Sequence, residues 1–254
     1  MLNDYFCNLC TIDDELLPPF DRVAPPDADL SDIVFTIDNV ATVLRKLKTN
    51  SSCGADGFPP VLLKKLASEL SFPLSVLFNN SMSIGAIPDA WRCAVITPIA
   101  KGGIASNLSN YRPISLTSGI CKVMERVIVK YLSDYLFAHK LISKQQHGFI
   151  KRRSTSSNLL DILNDWTLAV DNNDGITVVY IDFAKAFDSV SHQKLLYKLQ
   201  NYGISGNWIK NFLSGRLQCT KVRDIFSPYR HLSSGVIQSS CLGPLLFVIY
   251  VNDV

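Results

Sequence analysis

Two aspartates six residues apart, Asp182 and Asp188, are the groups in this sequence best placed to do chemistry. Asp182 follows residues 176–181, an apolar and β-branched run whose composition predicts a buried strand. A strand end that holds a carboxylate rigidly suits a divalent-metal ligand, and two-metal nucleotidyl transfer needs carboxylates that bridge cations roughly 3.5–4 Å apart. Loops also use acids as turn formers, so Asp182 taken alone leaves both interpretations open.

A second set of side chains suits phosphate groups. Lys101 would supply a compact point charge, and Arg112 a planar fork that holds two phosphate oxygens. Residues 146–155 combine a glycine, a basic run and hydroxyls, which suits close approach of the backbone to phosphates. The competing interpretations are a local ion pair for Arg112 and a solvated basic loop for residues 146–155.

The elements that must position these groups follow from hydrophobic periodicity and cap residues. Helix patterns run over residues 61–84, after Ser118, after Ser154, after Ser191 and over residues 207–213. Strand patterns cover residues 93–99, 176–181, 217–226 and 245–251. Helices dominate the first two thirds and strands gather late, an order that favours an α+β protein.

Composition and charge favour a globular protein with a basic body. Apolar residues make up 47% of the 254-residue chain and charged residues 19%. Residues 1–38 carry nine acids and one base, which leaves 24 bases and 13 acids for the remainder. That excess suits a polyanion-binding surface, although ordinary solvated surface accounts for it equally well. No apolar segment reaches the roughly 18 residues of a membrane helix, so we expect no membrane partner.

The cysteines, the N-terminus and the distribution of acids and prolines bear on zinc binding, cellular location and domain boundaries. The seven cysteines include Cys7 and Cys10 in a C-x-x-C, but no second pair stands at finger spacing, so we expect reduced thiols and no zinc. The N-terminus has no signal-type stretch, which predicts an intracellular location. We expect an acidic, proline-containing lead-in and linker over residues 1–49, followed by regions 50–170 and 171–254.

Residues 182–192, Asp-Phe-Ala-Lys-Ala-Phe-Asp-Ser-Val-Ser-His, resemble the first catalytic motif of reverse transcriptases of LINE-type (non-LTR) retrotransposons. Four more blocks resemble that family in the same order: residues 53–59, 95–116, 146–155 and 234–247. The resemblance covers roughly residues 50–254. It implies an α+β, right-hand polymerase fold, with fingers over residues 50–170 and an incomplete palm over residues 171–254.

The resemblance also implies a role for each matched residue. Asp182 would be the catalytic metal ligand, and Phe187 a steric gate against a ribose 2′-hydroxyl. The nucleotide would be bound by Lys101, Arg112, Phe183, Lys185, Ala186, Phe187 and Gln238. The template would be contacted by Gly148, Lys151, Arg152, Arg153 and Ser154. Asp188 is more often structural in such motifs and stays outside the implied metal site.

The implied activity is magnesium-dependent, RNA-directed DNA synthesis on an RNA template and a DNA primer, from deoxynucleoside triphosphates. By the same resemblance the protein would work in the nucleus or in a cytoplasmic ribonucleoprotein. This sequence departs from the family pattern at Ala100 and Ile237, where proline is usual, and at Ser239, where glycine is usual. The family's paired aspartates and thumb do not follow Asp253, so we expect this chain to be inactive alone.

Two alternatives remain open at this point. A non-catalytic element remnant of the same fold would at most bind RNA. An unrelated metal phosphotransferase that used Asp182 and Asp188 would be favoured only if Lys101, Arg112 and Gln238 lay far from Asp182.

Overall fold

A long central helix, α5 (Gly119–Ala138), organises the packing of the fold. The computed structural model describes residues 1–11, 16–17, 19, 22–30, 32–50 and 52–253. Ser118 caps α5 by accepting a hydrogen bond from the Cys121 N–H at 3.1 Å, and the predicted helix after Ser118 is confirmed. Apolar side chains at helical spacing on α5 are buried in the main core, among them Val123, Val127, Ile128, Leu132 and Leu136.

The other helices that the structure describes are shorter than α5. In chain order they are α1 (Leu2–Cys7), α2 (Ile37–Arg45), α3 (Pro60–Lys65), α4 (Ala67–Ile84), α6 (Thr155–Asp171), α7 (His192–Asn201), α8 (Asn207–Leu213) and α9 (Gly243–Val251). Ser154 and Ser191 cap α6 and α7, as predicted. The helix predicted over residues 61–84 is divided into α3 and α4, and Pro73 lies inside α4. No helix in the described ranges combines the length and apolar character needed to cross a membrane.

A small mixed sheet lies beside the helices. Its strands are β1 (Cys93–Ala100), β2 (Tyr111–Leu116), β3 (Leu217–Val222), β4 (Ile225–Phe226) and β5 (Arg230–His231). β1 pairs with β2 in an antiparallel hairpin and with β3 in parallel, and β4 and β5 each pair antiparallel with β3. The strands over 93–99 and 217–226 are confirmed, the latter as β3 and β4 joined by a turn. Helices with one small sheet confirm the α+β class.

The predicted buried strand over residues 176–181 is wrong. The segment has no regular secondary structure and forms no ladder with the strands that the structure describes, and its side chains face solvent. Tyr180, for example, is 86% exposed. The β-branched composition favours an extended backbone, but a strand also needs a neighbour that satisfies its N–H and C=O groups. That neighbour cannot be read from the segment's own sequence.

The predicted strand over residues 245–251 is also wrong, since these residues belong to helix α9. Pro244 at the first turn of the helix supplies a preset φ and loses no hydrogen bond there. α9 is apolar on every face and is buried through Leu245, Leu246, Val248 and Ile249. A segment that is apolar on every face shows neither the alternation of a half-buried strand nor the apolar stripe of an amphipathic helix. Hydrophobic periodicity therefore cannot distinguish a helix from a strand here.

The acidic lead-in is more structured than predicted. α1 buries Phe6 against Ala94 and Ile96 of β1, and the Asn3 amide donates to the Pro228 carbonyl at 3.0 Å. α2 also falls inside the segment that we predicted as lead-in and linker. The prediction for Asp13, Asp14, Glu15, Pro18 and Asp21 lies outside the described residues.

Candidate nucleotide and template site

A tight turn over residues 184–190 carries the centre of the candidate site. Lys185 adopts a left-handed backbone (φ 53°), and its carbonyl accepts from the N–H of Asp188 at 2.8 Å. The N–H groups of Lys185 and Ala186 donate no hydrogen bond within the described chain. Two adjacent free amides beside a lysine side chain are suited to binding phosphate oxygens, the chemistry that the resemblance implied for this turn.

The turn is fastened to residues 234–238 by main-chain and side-chain bonds. The N–H of Gly235 donates to Val190 at 2.8 Å, and the N–H of Val236 donates to Phe187 at 2.8 Å. Gly235 has φ 90°, and a Cβ there would lie 2.9 Å from the carbonyl oxygens of Phe187 and Asp188. Only glycine allows the two segments to lie this close.

Gln238 and Asp188 form a polar side-chain contact between the two turns. Gln238 Nε2 donates to the two carboxylate oxygens of Asp188 at 3.2 and 3.3 Å. Burial raises the pKa of Asp188, while the Gln238 hydrogen bond and the charges of Lys185 and Lys101 act to lower it. Asp188 therefore orients Gln238, in keeping with a structural role for this acid.

Phe187 is held between two other aromatic rings. It stacks on Phe247 of α9 with ring centres 4.8 Å apart and an interplanar angle of 17°. It meets Phe149 edge to face, with centres 5.7 Å apart. This packing fixes the ring of Phe187 and links the turn to the loop that precedes α6.

Asp182 and Phe183 lie on the exposed segment before the turn. The Asp182 carboxylate has no hydrogen bond or ion pair among the residues that the structure describes. Across those same residues, no group of three or more His, Cys, Asp or Glu side chains could hold a metal ion. Asp182 is thus available as a ligand but is not part of a formed carboxylate cluster.

Lys101 and Arg112 lie at the tip of the β1–β2 hairpin. Arg112 is opposite Ile99, is exposed and forms no ion pair within the described ranges, so a local acid does not occupy it there. Lys101 Nζ donates to the Ser109 carbonyl at 3.1 Å. Pro113 of β2 lines the same cavity as Asp188, so β2 lies beside the turn. The convergence of Arg112 with Asp182 stays a prediction.

The five predicted template residues divide by what their side chains contact. Arg153 donates to three loop carbonyls, those of Ser143, Lys144 and Gln146. Ser154 Oγ accepts the Ser157 N–H as the cap of α6. Arg153 and Ser154 therefore hold the loop together. Gly148, Lys151 and Arg152 are exposed and remain available to a ligand.

Sequence reasoning missed a buried acid beneath the site, Glu125 of α5. Its Oε2 accepts the N–H groups of Cys241 at 2.7 Å and Leu242 at 3.1 Å, directly after the Gln238 turn. Its Oε1 is buried and has no hydrogen-bond partner. Burial raises the pKa of Glu125, which the two N–H groups and the nearby Arg216 partly oppose. The sequence signal that could have identified Glu125 is its position as an acid on the apolar face of an amphipathic helix.

Both of the paired turns lie within a segment, residues 99–254, that is shared with a known protein family. Residues 99–254 match the family described as "Reverse transcriptase (RNA-dependent DNA polymerase)", and the chain belongs to that family. This confirms the resemblance drawn from the motifs.

Curated relatives come from non-LTR retrotransposons. The chain is 29% identical to "RNA-directed DNA polymerase from mobile element jockey" of Drosophila melanogaster, over 97% of this chain and 27% of the relative. It is also 29% identical to "Probable RNA-directed DNA polymerase from transposon BS" of the same species, over 85% of this chain and 24% of the relative. The chain thus spans about a quarter of the length of these relatives. Among solved structures, the "Partial Cas6-RT-Cas1--Cas2 complex" aligns over 89% of this chain and 34% of that one, with 16% identity and a TM-score of 0.43.

Proposed function

We propose that this chain supplies the fingers, residues 50–170, and part of the palm, residues 171–254, of an RNA-directed DNA polymerase. The parent enzyme would copy an RNA template onto a DNA primer from deoxynucleoside triphosphates, in the nucleus or in a cytoplasmic ribonucleoprotein. The observation that carries the proposal is the joined pair of turns. Residues 184–190 and 234–238 belong to two separate family blocks, and they are fastened into one unit around Asp188 and Gln238.

In this proposal the triphosphate is bound by the turn and by the hairpin tip. The free amides of Lys185 and Ala186 would donate to phosphate oxygens, and Arg112 would contribute a two-point charged contact. The resemblance also assigns the Phe183 backbone to this site. Gln238, oriented by Asp188, would lie against the nucleotide and its template base.

Sugar selection is assigned to Phe187. Its ring is held by Phe247 and Phe149, so it could not swing aside at low cost when a ribose enters. A fixed ring where a 2′-hydroxyl would project excludes that hydroxyl by shape.

Magnesium is implied by the family, and bound magnesium would activate the primer hydroxyl and neutralise the leaving pyrophosphate. The described residues do not fit a two-metal centre, because Asp182 is the one carboxylate of the candidate site left without a partner there. We therefore assign Asp182 a ligand role in the parent enzyme, and we expect the chain alone not to extend a primer. Neither the matched family nor the curated relatives favour the non-catalytic alternative.

Photo-cross-linking maps the proposed site without requiring catalysis. The chain would be irradiated with radiolabelled dTTP on a poly(rA)–oligo(dT) duplex, and the labelled peptides identified by mass spectrometry. We expect label within residues 101–112 or 182–187 and its loss in Arg112→Ala. Arg223→Ala, which changes an exposed arginine in the β3–β4 turn, is the matched control. Label confined to other peptides would overturn the assignment.

A further inference from the structure

Residues 1–11 contact the candidate site, although they lie outside the segment that matches the family. The buried Asn3 fixes α1 to β3, because its amide donates to the Gln218 carbonyl at 3.4 Å and its oxygen accepts the Thr220 hydroxyl at 3.1 Å. An ion pair between Asp4 and Arg230, at 3.2 Å, adds a contact with β5. The residues that follow α1 therefore start from a position fixed by the sheet.

Thr11 contacts both of the paired turns. Its N–H donates to the Ser234 hydroxyl at 2.9 Å, and its own hydroxyl donates to the Ser189 carbonyl at 3.2 Å. Ser234 extends this bridge, because its hydroxyl donates to the Asp188 carbonyl at 2.8 Å. The Cys10 thiol adds a weaker contact with the Ser234 carbonyl at 3.7 Å. Residues 10–11 therefore connect the turn over residues 184–190 with the turn over residues 234–238.

α1 also helps to close a small cavity beside the contact between Gln238 and Asp188. Phe6 and Cys10 line this cavity together with Asp188 and Gln238, and its volume is about 40 Å³. Water that entered the cavity freely would compete with Gln238 for the carboxylate oxygens of Asp188. By limiting that access, α1 protects the hydrogen bond that orients Gln238.

Tyr5 of α1 lies against a side chain of the phosphate-binding turn. The Lys185 ammonium is 5.9 Å from the centre of the Tyr5 ring, within the range of a cation–π contact. The Lys185 side chain is otherwise exposed, and a free lysine loses considerable rotamer freedom when a ligand fixes it. A ring that already restricts the ammonium reduces this loss when a phosphate binds.

We propose that residues 1–11 form a latch that positions the paired turns for nucleotide binding, in which Thr11 holds the two turns together and Tyr5 holds Lys185. Both are positioning residues, since neither is assigned a contact with the nucleotide. The inference rests on the proposed function, and it adds a segment that none of the family blocks contains.

The test of Thr11 combines nucleotide labelling with amide exchange in the full chain. Thr11→Val removes the hydroxyl donor but keeps the N–H and the shape of the side chain. It should lower photo-cross-linking of radiolabelled dTTP, at a subsaturating concentration, by at least about threefold. Exchange of the Gly235 and Val236 N–H groups, followed by mass spectrometry, should accelerate. Thr11→Ser restores the hydroxyl and should restore both readouts.

The matched control for this change is Thr167→Val. It removes another exposed threonine hydroxyl, one that donates to the Leu163 carbonyl at 2.8 Å within α6. This variant should change neither the labelling nor the exchange at Gly235 and Val236. Melting curves would establish that every variant is folded.

Variants of Tyr5 test the second contact of the latch. Tyr5→Leu removes the ring face and should lower dTTP labelling by about two- to fivefold, whereas Tyr5→Phe keeps the face and should retain labelling. Increased labelling in Tyr5→Leu would overturn the positioning role, because Tyr5 would then compete with phosphate for Lys185. Unchanged labelling in Tyr5→Leu would remove Tyr5 from the latch.

Failure of the latch and failure of the proposed function give different results. Labelling and exchange that are the same in Thr11→Val as in the unaltered chain would overturn the latch and leave the proposed function intact. Equal losses in Thr11→Val and Thr167→Val would also overturn the latch, because the effect would then be general destabilisation. Absence of label from the unaltered chain would overturn the proposed function and the latch with it.

Discussion

Gln238 donates to both carboxylate oxygens of Asp188 across 50 residues of chain. The bond joins the turn that carries the candidate sugar gate to the turn that carries the candidate base contact. The Ser234 hydroxyl adds a third link, since it donates to the Asp188 carbonyl at 2.8 Å. The two turns should therefore respond to mutation as one cooperative unit.

Replacement of Gln238 and replacement of Asp188 should each destabilise the chain, by different amounts. Gln238→Ala removes the donor from a partly buried carboxylate and should cost about 1–2 kcal/mol, while Asp188→Asn keeps one acceptor and should cost about half as much. Urea unfolding of both single variants and the double variant would give the coupling energy, which we expect to be at least about 0.5 kcal/mol. Additive effects within error would contradict a cooperative unit.

The left-handed backbone at Ser239 predicts that replacing this residue with glycine stabilises the chain. Ser239 has φ 78° and is exposed, so its side chain contributes strain without burial. Ser239→Gly should raise the free energy of unfolding by roughly 0.5–1 kcal/mol, because glycine adopts this conformation without steric cost. Ser239→Ala keeps a Cβ and should give no gain, which makes it the matched control in the same thermal melts. A gain of the same size in both would show that φ is not the cause.

The sequence correctly predicted features that depend on neighbouring residues. Features that depend on contacts between distant residues were predicted wrongly or were missed. The caps at Ser118, Ser154 and Ser191 depend on residues three positions away, so the sequence located these helix starts correctly. The strand over residues 176–181 was wrong because pairing depends on a distant partner. The role of Glu125 was missed because its two donors lie more than 100 positions later.

The same distinction between local and long-range contacts applies to the candidate site. Motif matching brought Gln238 and Phe187 into one candidate site, and their links through Asp188 and through the shared turn are consistent with it. It did not show that Arg153 and Ser154 are engaged within their own loop, since hydrogen bonds to nearby carbonyls and amides leave no motif.

Glu125 should give the protein a pH-dependent stability. Its pKa is raised in the folded state, so the folded chain holds that proton more tightly than the unfolded chain does. Stability should therefore fall as pH rises from about 4.3, the ordinary pKa of glutamate, and level off above the folded-state pKa. Asp188 contributes with the same sign.

Two variants isolate the contribution of Glu125. Glu125→Gln keeps an acceptor for the Cys241 and Leu242 N–H groups and does not titrate, so its stability relative to the unaltered chain should improve as pH rises. Glu125→Ala leaves both donors unpaired and should cost about 3 kcal/mol. Chemical unfolding at several pH values measures both effects. A difference between Glu125→Gln and the unaltered chain that stays constant with pH would show that Glu125 does not titrate in this way.

Phe187 should select the sugar of the incoming nucleotide. In the proposed parent polymerase, Phe187→Ala should improve ribonucleotide relative to deoxyribonucleotide incorporation by at least about tenfold, because exclusion by a fixed ring exceeds the ~1–3 kcal/mol of a simple apolar-pocket difference. Phe247→Leu removes one of the two rings that hold Phe187 but keeps the Phe187 side chain and its contact with Phe149, so it should change the ratio less. Both variants lose packing, and melting curves would establish that they are folded before incorporation is compared on one primer and template. An unchanged ratio in Phe187→Ala would remove Phe187 from this role and assign its ring to packing alone.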